Sequence, residues 1–207
     1  ESHFLSVLGS AEPEVVSLDL DLFPQVVVGD AVITYLGVED VLIDAGGGND
    51  QIDVREFPNL SATLRGGYGD DTIRVAPGDH DLDAIRGALT VQGGDNTIVT
   101  QDDDPCSNLA GRPGDKLFID DRSNAENDDY SVTRDSFGRT GSNDLSYSGI
   151  ECVSLSTGAG DSTFDVESTA VLTKIVAGGG SDRFNIATAE QSLASLAGDL
   201  VLDGGRF

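Results

Sequence analysis

The residues best suited to chemistry in this chain are aspartates that follow clustered glycines. Five segments align on the apolar residue beyond the turn: AGGGNDQID (45–53), GGYGDDTIR (66–74), VQGGDNTIV (91–99), TGAGDSTFD (157–165) and AGGGSDRFN (177–185). A carboxylate beside turn carbonyls makes a set of hard oxygen donors, the set that calcium takes at about 2.3–2.6 Å. Glycines permit positive φ, so that the carbonyls of one turn can converge on one ion. If the turns stack at the strand spacing of about 4.8 Å, the Asp50 and Asp71 carboxylates repel by roughly 0.9 kcal/mol in water and about 3.5 kcal/mol at an effective dielectric of 20. A cation between them removes that cost. The competing reading is that Gly, Asn and Asp are simply good turn formers.

Such stacking needs regularly spaced strands, and the sequence provides them. YLGVEDVLIDAGGGNDQIDV from Tyr35 recurs as YSGIECVSLSTGAGDSTFDV from Tyr147, an offset of 112 residues. Arg65–Val75 matches Ala177–Ile186, and Ile85–Gly94 matches Leu196–Gly205. Residues 1–112 therefore read as a first repeat and 113–207 as a second, truncated one; FLSVLGS near the start is the weak counterpart of the stretch that opens at Asp115. Within each copy, apolar triplets such as Val41-Leu42-Ile43 and Ile52-Asp53-Val54 flank the glycine turns. Turn-to-turn spacings of about 21–25 residues are too short for a βαβ crossover and suit stacked β-units. The expected fold is all-β: one continuous parallel β-solenoid with coils of about 20–25 residues and the Gly-Asp turns in a column along one edge.

GGYGDDTIR fits the pattern GGxGxDxUx, with U a large aliphatic residue, and AGGGNDQID departs from it only at Ala45. The turns resemble the hemolysin-type (RTX) calcium-binding repeat. The resemblance implies calcium held by one Asp carboxylate and by backbone carbonyls of the glycine turn. It nominates Asp50 with Asp71 first, then Asp182, with Asp71–Asp95 and Asp161–Asp182 as weaker pairs, and Gly46, Gly48, Gly66, Gly67 and Gly69 in the turns. The sequence departs from the family in that the nonapeptides are not in tandem. Asn96 and Ser162 also stand at the ligand place, with Asp95 and Asp161 one position early. The larger unit resembles repeats of very large bacterial surface and adhesin-like proteins.

Composition points the same way. Net charge is −25, with 37 acidic residues against 12 basic. Such a surface repels nucleic acid and anionic membranes and favours multivalent cations; a salt-loving source is another cause of an acidic chain with Lys116 and Lys174 as its only lysines. No apolar run approaches the roughly 18 residues of a membrane span. The cysteines, Cys106 and Cys152, are expected to form the disulfide of a secreted protein, two free thiols being the alternative. A bridge across their 46-residue separation stabilises by about 4 kcal/mol in the chain-entropy model. The chain opens on Glu1 without a visible export leader, as expected of a piece cut from a longer parent.

Catalysis is not expected. His3 and His80 are the only histidines, no nucleophile–histidine order is credible, and no zinc-type spacing occurs. Asp102-Asp103-Asp104, Asp120-Asp121 and Asp128-Asp129 read as solvated loops, with a peripheral cation site as the alternative; Asn59-Leu60-Ser61 is a glycosylation acceptor motif, and Tyr35/Tyr147 and Glu39/Glu151 read as holding coil geometry. The expectation is an extracellular or cell-surface, calcium-stabilised structural or adhesive module. Its partners are further copies of the repeat, or itself in filaments, and surface glycans. The alternatives are a β-helix that belongs to, or accompanies, a secreted polysaccharide-acting enzyme, and an ion-independent fibre subunit.

Overall fold

The computed structural model of the chain describes residues 2–78, 81–95, 106, 113–189 and 191–205. His80, Asn96 and Asp102-Asp103-Asp104 lie outside them. The first half contributes β1 (Phe4–Leu8), β2 (Val15–Leu20), β3 (Pro24–Val28), β4 (Ala31–Thr34), β5 (Asp40–Asp44), β6 (Gln51–Val54), β7 (Ser61–Tyr68), β8 (Thr72–Val75) and β9 (Ala88–Asp95). The second contributes β10 (Lys116–Asp121), β11 (Asp129–Val132), β12 (Ser136–Arg139), β13 (Leu145–Ser148), β14 (Cys152–Thr157), β15 (Thr163–Val166), β16 (Leu172–Val176), β17 (Arg183–Ile186) and β18 (Leu200–Asp203). No helix among the described residues is long and apolar enough to cross a membrane.

The strands form two nine-stranded sheets, in the orders β1-β5-β7-β9-β13-β12-β11-β15-β17 and β18-β16-β14-β10-β8-β6-β2-β3-β4. All-β is the observed class, but the continuous parallel solenoid expected from the periodicity is overturned. Both sheets are mixed: β2, β3 and β4 pair antiparallel, and so do β11, β12 and β13. The cause is local. Gly29-Asp30 is a two-residue link between β3 and β4 with Gly29 at φ 56°, and so short a link can join only antiparallel neighbours. The remaining pairs are parallel; the register runs Val41↔Ala62↔Leu89 in one sheet and Ile52↔Ile73↔Leu117 in the other.

Inward residues alternate along each strand, as period two requires. Val41, Ile43, Ala62, Leu64, Leu89 and Val91 from the first sheet meet Ile52, Val54, Ile73, Val75, Leu117 and Ile119 from the second in one buried cluster. In the second half the corresponding row is aromatic. Tyr130, Phe164 and Phe184 are cross-strand neighbours and stack with centroids 5.0 Å apart at each step.

The two halves correspond strand for strand, β1 to β10 through β9 to β18, and each half contains one three-stranded antiparallel meander. Equivalent strands lie in opposite sheets: β5 is in the first and its counterpart β14 in the second. The halves join through β9 with β13 and β8 with β10. A buried polar group fastens this junction. Asp121 accepts from Tyr130 Oη at 2.7 Å, from the Leu82 amide at 3.0 Å and from Arg139 Nη1 at 3.1 Å, while Arg139 also reaches Asp83. Asp121 is fully buried, which corrects its reading as a solvated loop residue; neighbouring Asp128 accepts from Asn124 at 2.6 Å. Cys106 and Cys152 are disulfide-bonded. Cys152 opens β14 and is fully buried.

Candidate metal site in the glycine turns

The turns between β5 and β6 and between β7 and β8 stack directly. Tyr68 N donates to Gly46 O at 3.0 Å, and Gly48 N donates back to Tyr68 O at 2.8 Å. The glycines are required where expected: Gly46, Gly48, Gly67 and Gly69 have φ of 94°, 107°, 110° and 130°. Gly66 is held to glycine by space, because a Cβ there would land on the Asp71 carboxylate.

Within the column the aspartates form a ladder of side chain on backbone. Asp50 Oδ1 accepts from Glu14 N at 2.7 Å, Asp71 Oδ1 from Asp50 N at 2.8 Å, and Asp115 Oδ1 from Asp71 N at 2.7 Å. Glu151 Oε2 closes the series on Asp115 N at 2.7 Å. Each carboxylate thus caps the amide of the turn before it. An outer ladder runs the opposite way: Asn49 Oδ1 accepts from Asp70 N and Asp70 Oδ1 from Gly114 N. In the second half, Asn127 Oδ1 accepts from Asp161 N and Asp161 Oδ1 from Ser181 N on the outer side, while Asp182 Oδ1 accepts from Ser162 N on the inner one.

Asp50, Asp71 and Asp115 are 2 %, 0 % and 0 % exposed. Each spends one oxygen on an amide; their Oδ2 atoms, and that of Asp182, are buried with no hydrogen-bond partner. Burial is the main cause that pushes the Asp50 carboxyl up to about 6 against the amide of Glu14, with the Asp71 and Glu14 charges adding to it. Asp115 is pushed up to about 8 by burial, then by Asp71, Glu151 and Asp70. Asp71 is raised by burial and by Asp70. A buried carboxylate oxygen without a donor is costly and calls for a proton or a cation. Oxygen-only donors fit a hard cation such as calcium. No group of three or more His, Cys, Asp or Glu side chains suited to a metal comes together among the described residues, so carbonyls or water would complete any such shell.

The structure brings Asp50 and Asp71 together through the Asp50 amide and the Asp71 carboxylate. It separates the other pairs. Asp95 stands opposite Tyr68 at the end of β9 and is exposed, because β7 and β9 continue pairing into the turn; Asp115 takes the place beside Asp71. Asp161 and Asp182 lie on opposite ladders. Sequence reasoning missed Asp115 and Glu151 as ladder members. The pair Gly114-Asp115 directly before β10 was the available signal; Glu151, credited with holding geometry, does so through its carboxylate.

No family model, curated protein or solved structure matches this chain.

Proposed function

We propose that the chain is a structural or adhesive module of a secreted or surface-attached protein, that it has no catalytic role, and that calcium braces its glycine turns. The observation that carries this reading is the row of buried, unpartnered Oδ2 atoms on Asp50, Asp71 and Asp115, with Asp182 in the second half. These residues would hold the ion, and bound calcium would supply positive charge where the column is most negative. Binding to the folded state alone stabilises by about 2.7 kcal/mol per site at a hundredfold excess over Kd. The disulfide suits an oxidising compartment, and the net charge of −25 disfavours the compact state without cations.

The test is thermal unfolding at neutral pH in chelator and in millimolar calcium. The native chain is expected to melt higher in calcium. Asp50→Asn with Asp71→Asn should lose that rise while melting in chelator no lower than the native chain, because the amides keep an acceptor for the Glu14 and Asp50 N–H groups and discard two buried charges. Equal melting of the native chain in both conditions would replace calcium with an ion-independent structural reading.

A further inference from the structure

We propose that the end of the molecule formed by β1 and β4 docks on the end formed by β17 and β18 of a second copy, in the register that already joins the two halves of the chain. The internal junction is the template. There β9 pairs with β13 as Leu89↔Leu145, Thr90↔Ser146 and Val91↔Tyr147, and β8 pairs with β10 as Ile73↔Leu117 and Val75↔Ile119. The counterparts of β9 and β8 are β18 and β17, which end the two sheets on one side. The counterparts of β13 and β10 are β4 and β1, which end them on the other. Among the described residues the four free edges are thus the same two complementary pairs, at opposite ends of the two sheets. Sequence offsets of 111 and 112 residues set the register: Leu200, Val201 and Leu202 opposite Ile33, Thr34 and Tyr35 of the second copy, and Phe184 and Ile186 opposite its Leu5 and Val7.

The side chains at these edges are those of an interface. Ile33 is 36 % exposed where its counterpart Leu145 is 4 % exposed, and Leu202 is 39 % exposed where Val91 is fully buried. Phe184 and Ile186 are half-buried where Ile73 and Val75 are sealed. The apolar pattern of the junction is therefore retained at positions that this chain alone leaves open.

A glycine pair points the same way. At the junction a Cβ on Gly93 would strike Gly149 O, so the close approach of the two backbones demands glycine. The equivalent residues are Gly204 and Gly37. A Cβ on either meets nothing within 4 Å, and Gly204 has no positive φ. Nothing among the described residues requires glycine at 204; a second copy bringing its Gly37 carbonyl there does. Unpaired strand edges template association, and a head-to-tail contact of this kind propagates as an open filament. The inference stands apart from the calcium reading, since it rests on strand register and packing.

The test uses the full chain, with and without calcium, in enough salt to screen its charge. Sedimentation is expected to show assembly that grows with concentration. Gly204→Val should leave the melting temperature unchanged and weaken assembly about tenfold or more, the effect of overpacking one close contact. Register is read by mixing chains that carry Thr34→Cys with chains that carry Val201→Cys, both exposed positions whose expected pairing suits a disulfide. Under oxidation this pair should cross-link in preference to Thr34→Cys with Leu202→Cys, a one-residue slip that points to the other face. A chain that stays monomeric up to about millimolar concentration, far above the Kd of specific assemblies, or cross-links that do not distinguish 201 from 202, would overturn the proposal.

Discussion

Asp71 shows what one residue does in this molecule. Its Oδ1 holds the amide of the preceding turn, its Oδ2 lies beside Gly66, and its own amide is held by Asp115. Gly66→Ala is therefore expected to cost about 3 kcal/mol, since a methyl group must displace a buried carboxylate. Gly141→Ala makes the opposite case. Gly141 has φ of 83° but open space around it, so the cost should be only the left-handed backbone penalty, about 1 kcal/mol. Urea unfolding of the two variants checks the difference; equal costs would show that the Asp71 carboxylate is free to move aside.

The ladder and the meanders are the elements that decide behaviour. Asp50, Asp71 and Asp115 all have folded-state pKa values raised above those of the unfolded chain. Such groups contribute stability that is complete below the unfolded value of about 4 and is lost as pH rises through about 6 for Asp50 and about 8 for Asp115. In chelator the melting temperature should fall as pH is raised from 5 to 8.5, and Asp115→Asn should flatten the upper part of that curve. Millimolar calcium should reverse the slope, because protons then compete with the ion. A pH-independent melting temperature in chelator would show that the carboxyls are solvated in solution.

Much of this column was legible in the sequence. Apolar triplets around glycine turns marked β5 to β8, and the repeat of the turn placed Asp50 over Asp71. What escaped was non-local. Asp121 reads as a loop residue because Arg139, its buried partner, lies 18 positions away across a hairpin. The meanders escaped because turn spacing records only where chains cross the glycine edge. Arg139→Ala should cost about 3–5 kcal/mol by stranding the buried Asp121 charge; a loss below 1 kcal/mol in urea unfolding would show that water or Tyr130 suffices to hold it.

At the scale of the whole molecule, the disulfide ties Cys106, on the connection between the halves, to the first residue of β14. It closes a 46-residue separation and should contribute about 4 kcal/mol in the chain-entropy model. Reduction by dithiothreitol is expected to lower the urea midpoint without loosening the rungs from Glu14 to Asp50 and from Asp50 to Asp71, which lie wholly in the first half; amide exchange of Glu14 and Asp50 checks the distinction. Uniform loss of protection across both halves would mean that they unfold as one unit.

The exchange of sheets between the halves governs how the molecule grows. The first half places four strands in one sheet and five in the other, and the second half reverses the two numbers. Had both halves kept the same assignment, one sheet would gain a strand on its partner with every unit, and at about 4.8 Å per strand the stack would bow toward its shorter side like a strip of two metals that expand unequally. By alternating, the surplus of one unit cancels that of the next. Both sheets reach nine strands together, about 43 Å of growth at that spacing. The two units together thus balance the sheets, and whatever the repeat displays on one side recurs, one unit later, on the other.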